Sequence, residues 1–302
     1  MARLLSALTD VIGPVLLVAA AGYVLGRRRV VEAQTLASLS VAVLVPSLAF
    51  YALTTSTLPQ AALLRFAGYV VLQFVLIGIV IVLAARAYGW DRTVTTGLLL
   101  ATLFSNAGNA GLPLAFFAWG SRGLSAAVGF FAVQAVATNV LAAYLAARAG
   151  GGAWHAARAL LRLPVTYAIA AGLLLNVVGV PLPQPVAKAA QLLANGAIAV
   201  MLLLVGVQLA EVRLGGEWRG VAVATVTRLV VAPMLAWGTA PLLGLDGVAR
   251  QTGILQASLP TAVTAAIWAS EFAVVPTLVS SAVVVTTLLS PLTVTALLAL
   301  LR

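Results

Sequence analysis

Two asparagines three residues apart, Asn106 and Asn109, stand inside the apolar stretch "LFSNAGNAGLPLAFF" (103–117). A primary amide offers two N–H donors without a permanent charge. It can therefore hold a carboxylate at membrane depth without the desolvation cost of a lysine or arginine. Around the pair lie Ser105, Gly108, Gly111 and Pro113. Proline removes a backbone donor and glycine admits unusual dihedrals, so the segment reads as a broken helix. The second half of a broken helix begins with free N–H groups and a partial positive charge. Amide donors beside such an end are expected to cradle an organic anion. The other use of Pro113 and its glycines is a kink for close packing, since both residue types are frequent in membrane helices.

A second polar cluster, Gln256, Ser258, Pro260, Thr261 and Thr264, interrupts a later apolar stretch. Its side chains either face the same cavity as Asn106 or hydrogen-bond between helices. Arg228 stands about ten residues inside another apolar run, roughly 15 Å from its end by helix rise. A charge at that depth is costly and points to function or to a partner. It would attract an anion, hold an acidic side chain, or snorkel its long stem to an interface. Glu271 and Asp10, near the ends of apolar runs, are candidates for carrying a proton if burial raises their affinity for one. Backbone carbonyls at the broken helices, with Ser and Thr hydroxyls, are hard oxygen ligands suited to sodium. Proton and sodium both stay open as coupling ions.

The elements that must position these residues are membrane spans. The 302 residues are 63% hydrophobic and 8% charged, far from the roughly one-quarter charged content of soluble domains. Apolar runs of about 20 residues, each long enough to cross roughly 30 Å of hydrocarbon, recur along the chain. They fall at 8–26, 31–54, 62–87, 93–119, 122–147, 163–181, 185–210, 218–241, 247–271 and 276–301. The reading is an all-α integral membrane protein of ten transmembrane helices, with no separate signal peptide. Trp90, Trp119, Trp154 and Trp218 fall where an aromatic belt is expected, and no cofactor is read from them. Pro46, Gly206 and Gln208 read as scaffold features.

The net charge of +10 reflects topology rather than nucleic acid, because the arginines are scattered between spans. Arg27, Arg28, Arg29, Arg86, Arg92, Arg148, Arg158, Arg162, Arg213 and Arg219 occupy one set of loops. Arg3, Arg65, Arg122, Lys188, Arg250 and Arg302 occupy the other, a division of ten to six. The positive-inside rule makes the first set cytoplasmic and leaves both termini outside. There is no cysteine and a single histidine, His155, so thiolate metal sites and a histidine-pair zinc protease are excluded. An aspartyl intramembrane protease needs two carboxylates at membrane depth, and the carboxylates here stand near span ends. A receptor that binds an anion without moving it is expected to carry an output domain or a long tail, which these residues do not contain.

The chain also repeats itself. "AAGYVLG" (20–26) echoes "AAGLLLN" (170–176), and "TGLLLATL" (96–103) echoes "TGILQASL" (252–259) with five of eight positions identical. Asp91 and Asp246 precede the second pair in matching places. Five spans per half place the second half the other way up, giving inverted repeats over 1–150 and 151–302. In that arrangement the interrupted fourth and ninth spans correspond, and matched interruptions point to a transporter's binding site.

"SNAGNAGLPL" (105–114), "LLRLPVTY" (160–167), "RLVVAP" (228–233) and "QASLPTAVTAAIWASEF" (256–272) resemble, in order, landmarks of the auxin efflux carrier (PIN-like) transporter family. The resemblance implies ten helices in two inverted five-helix repeats, with broken helices 4 and 9 crossing. It implies a transport domain from spans 3–5 and 8–10, a scaffold from spans 1, 2, 6 and 7, and an elevator-type movement within a homodimer in the inner (plasma) membrane. It also implies that Asn106 contacts a substrate carboxylate and that Pro113 is a crossover proline. Two positions depart from the plant proteins: Val165 stands in place of an asparagine that serves auxin, and Ala265 in place of a crossover proline. Both weaken indole-acetate as the substrate, and the resemblance to bacterial members, which are associated with malate, malonate and similar acids, implies a small carboxylate. Bile acid:sodium symporters share the architecture and are the rival reading within transport; a sodium requirement and steroid substrates mark them.

Overall fold

A computed structural model describes residues 2–57, 59, 61–148, 164–211 and 215–302. Trp154, His155, Arg158, Arg162, Arg213 and the first four residues of "LLRLPVTY" lie outside these. The described residues are helical, with a single isolated β-bridge and no strand. Among the described residues, seven helical stretches are long and apolar enough to cross a membrane: Arg3–Arg27, Ala33–Thr54, Leu64–Tyr88, Ala107–Thr138, Gln184–Glu211, Trp218–Leu242 and Pro276–Leu301. Pro164–Val178 is a shorter apolar helix. The expected ninth span is absent from the seven for a physical reason. It is split into Gly247–Ala257 and Val263–Glu271, of 11 and 9 residues, each too short alone. The first part of the expected fourth span, Arg92–Leu103, has 12 residues. Its second part continues into the expected fifth as Leu112–Arg148, with non-helical backbone at Trp119 and Gly120. The φ of +62° at Gly120 is one that glycine adopts without a Cβ penalty.

Four segments wind as π-helix: Ala7–Ile12, Ser40–Leu44, Ala107–Gly111 and Thr227–Val231. Each is followed, after one residue, by a proline: Pro14, Pro46, Pro113 and Pro233. A proline ring clashes with the carbonyl four residues earlier and leaves it without its usual donor. That carbonyl falls inside the π segment in all four cases, where the wider turn relieves the clash. Pro113 therefore widens a helix and does not break it. The interruption expected over 105–113 lies upstream: only Phe104, Ser105 and Asn106 are non-helical, while Gly111 closes the π turn and Pro113 sits in the first α turn.

The contacts divide the chain into two compact units. The first comprises Met1–Ile12, Ala61–Ala107 and Val212–Arg302, and the second Gly13–Gln60 and Gly108–Glu211. In the second unit, Gly13–Arg27 lies along Gln184–Glu211. A Cβ on Gly22 or Gly206 would strike the backbone of Leu203 or Ala19 across that contact, the close backbone approach that small residues allow between membrane helices. Ser125 Oγ donates to Ala52 O at 2.9 Å, and Asn176 Nδ2 to Ser56 O at 2.9 Å, in the same unit. In the first unit, Asp91 and Asp246 are the N-caps of Arg92–Leu103 and Gly247–Ala257. The Asp91 carboxylate accepts from Val94 N at 2.8 Å, as a cap should.

Candidate functional site

Within the first unit the two interruptions meet. Ala262 N donates to Phe104 O at 2.9 Å and Asn106 N donates to Pro260 O at 2.8 Å. These bonds pair Ser105 with Thr261 in a one-rung antiparallel bridge. Backbone that leaves its helix at membrane depth must find partners in the protein, and here each broken segment supplies them for the other. Phe104, 1% exposed, seats the crossing: its ring meets Phe74 at 5.4 Å and Trp268 at 5.7 Å, both edge to face.

A helix end leaves its last carbonyls without intrahelical donors, and Arg92–Leu103 and Gly247–Ala257 both end at the crossing. Arg228, 1% exposed, serves both ends. Its Nη1 donates to Thr102 O at 3.1 Å, its Nη2 to Ala257 O at 2.9 Å and to Leu259 O, and its Nε to Leu259 O at 3.1 Å. The hydrogen-bond partners of Arg228 are thus backbone carbonyls and not an acidic side chain. Thr261 Oγ1 donates to Ala101 O at 2.7 Å, and Thr261 N donates to Thr286 Oγ1 at 3.1 Å. Ser258 Oγ donates to Ile254 O at 2.7 Å within its own helix. The hydroxyl protons of Ser258 and Thr261 are thus committed to carbonyls in this conformation.

Asn106 differs. It is 5% exposed, and its Nδ2 has no hydrogen-bond partner among the described residues. A buried amide left without a partner costs about 1–3 kcal/mol, and such a group calls for a ligand or water. Its backbone N–H is fixed to Pro260 O, so the side chain is rooted in the crossing itself. Gln256 is fully buried one turn before Leu259. Thr264 is exposed in the first turn of Val263–Glu271, and Glu271 is exposed at the other end of that helix, about 12 Å along it by helix rise. Gly108, Asn109, Gly111 and Pro113 belong to the second contact unit, with Asn109 half-buried and Gly108 against the ring of Phe131.

The structure thus gathers Phe104, Ser105, Asn106, Arg228, Ser258, Pro260 and Thr261 around one point. Participants that escaped the sequence reading include Phe104, Thr102 and Thr286. Thr286 lies in a long apolar helix where a threonine carries no signal, and Thr102 takes part through its carbonyl, which any residue has. Among the described residues no group of three or more His, Cys, Asp or Glu is placed to hold a metal.

Residues 153–298 match the model of a family described as membrane transport protein. An uncharacterized transporter of Methanothermobacter thermautotrophicus is 27% identical over 287 residues, covering 93% of this chain and 94% of its own. An uncharacterized transporter of Methanocaldococcus jannaschii is 23% identical over 204 residues, covering 66% of each chain.

Proposed function

Because this chain belongs to the membrane transport protein family, that of the auxin-efflux-carrier-like transporters, we propose that it carries small organic acid anions across the membrane. The carrying observation is Asn106: a buried amide whose Nδ2 has no internal partner, rooted where two broken helices cross. An Nδ2–H pair is a donor for a carboxylate oxygen, and at Asn106 it has no partner among the described residues. The first turn of Val263–Glu271, which has no side-chain cap, adds backbone N–H groups and the positive end of a helix dipole.

In this reading the substrate is a small carboxylate of the malate or malonate kind, moved by elevator-type alternating access between inverted repeats. The matched N-caps Asp91 and Asp246 and the paired interruptions support the repeat. Homodimerisation in the plasma membrane, with both termini outside, completes the proposal. Ser105, Gln256 and Thr264 would line the route, and Glu271 would act at its edge.

The test is solid-supported-membrane electrophysiology together with radiolabelled uptake in proteoliposomes, so that electroneutral exchange is also seen. The panel holds malate, malonate, acetate, indole-acetate and taurocholate, each with and without sodium and proton gradients. Transport of one acid by the native chain, and its loss in Asn106→Ala, is the expected result. Transport untouched by Asn106→Ala, or none for any acid, would sink the proposal. Taurocholate transport that requires sodium would point to the symporter reading.

A further inference from the structure

We propose that Arg228 is the resident cation of the crossing, a positioning residue that occupies the carbonyl cluster a mobile metal cation would need. In transporters with discontinuous helices, unwound carbonyls and half-helix C-termini are the groups that coordinate a coupling cation. Here seven carbonyls at the crossing already accept hydrogen bonds. Thr102 O, Ala257 O and Leu259 O accept from the guanidinium. Ala101 O accepts from Thr261 Oγ1, and Ile254 O from Ser258 Oγ. Phe104 O and Pro260 O accept from Ala262 N and Asn106 N. A sodium ion bound by Thr102 O, Ala257 O and Leu259 O would have to displace the guanidinium, a tethered group with donors in a fixed fork.

The charges agree. Each helix C-terminus carries about half a negative charge, and two of them end at this point. One guanidinium, with its unit charge, brings the sum close to zero. Four of its five N–H groups are used in the bonds above, so burial at 1% exposure does not leave the charge bare. The forked geometry matters as much as the charge: one head reaches carbonyls at the ends of Arg92–Leu103 and Gly247–Ala257 and, at Leu259, in the segment that follows. Arg228 thereby fixes the two non-helical segments that carry Asn106 and Pro260. The crossing keeps its shape without sodium.

The experiment needs no transported anion, so it stands apart from the function proposed above, although its meaning for coupling rests on that reading. Thermal unfolding of the full chain in nanodiscs is followed while sodium replaces N-methylglucamine at constant ionic strength. For the native chain, sodium up to about 150 mM is expected to move Tm by less than about 1 °C. Arg228→Ala, which orphans three buried carbonyls, is expected to lower Tm by about 5–10 °C. Ethylguanidinium at about 10 mM should recover part of that loss through its forked donors, and ethylammonium should recover much less. If the alanine variant cannot be purified, Arg228→Lys carries the test: a partial loss of Tm is expected, with sodium still without effect. A sodium-dependent rise in native Tm would overturn the proposal. So would a native Tm in either variant, or equal recovery with ethylammonium. A chain that moves none of the test carboxylates yet shows this pattern would refute the anion reading and leave the resident cation standing.

Discussion

Asn106 and Thr261 sit on the two sides of one bridge, yet they should respond to mutation in opposite ways. Asn106 Nδ2 has no partner to lose, so Asn106→Ala is expected to leave thermal stability nearly unchanged. Its cost falls on the ligand: one hydrogen bond to a carboxylate is worth about 1.5–3 kcal/mol, or roughly 10- to 100-fold in affinity. Isothermal titration with the transported acid would read it. Thr261→Val removes a donor to Ala101 O, so it should destabilise by about 1 kcal/mol while anion affinity shifts less than about threefold. Thr261→Ser should restore stability. Asn106 was legible from sequence because an amide among glycines in an apolar run has few bland uses. Arg228 was legible as an anomaly and illegible as a clasp, because backbone carbonyls leave no mark in a sequence.

Helix ends followed hydropathy closely at this next scale: the last span, read as 276–301, is the helix Pro276–Leu301. The internal breaks followed it less well. Pro113 was read as an agent of interruption, whereas it follows a π turn that absorbs it, as do Pro14, Pro46 and Pro233. Pro260, by contrast, lies in the non-helical segment itself. The difference is where the displaced carbonyl falls: inside a continuous helix a wider turn accommodates it, and at a helix end the chain simply departs. Arg228 lies in the π segment ahead of Pro233, which sets its angular position against Ala232–Leu242. One residue corresponds to about 100° of helical phase. Pro233→Ala is therefore expected to lower Tm, although alanine is the better helix former. An unchanged or raised Tm on differential scanning calorimetry would show that the π turn is not needed to aim the guanidinium.

For the whole molecule, the membrane class was plain from composition, while the division into contact units was hidden. That division cuts continuous helical stretches at Ile12–Gly13 and Ala107–Gly108, and hydropathy changes at neither point. Orientation is testable because the chain has no cysteine, so single cysteines report alone. With the arginine-rich loops facing the cytoplasm, Val30→Cys should resist an impermeant maleimide added to intact cells, and Val180→Cys should react. The reverse pattern would invert the topology. The crossing also bears on biosynthesis. Thr261 and Ala101, joined by a hydrogen bond, are 160 residues apart in the chain, and Arg228 and Thr102 are 126 apart. The ribosome delivers the first broken helix to the bilayer long before the residues that satisfy its carbonyls exist. Until then those groups must be met by water or by the insertion machinery. The crossing is consequently a late event of synthesis, and a chain stalled before Arg228 presents an unfinished helix end for quality control to find.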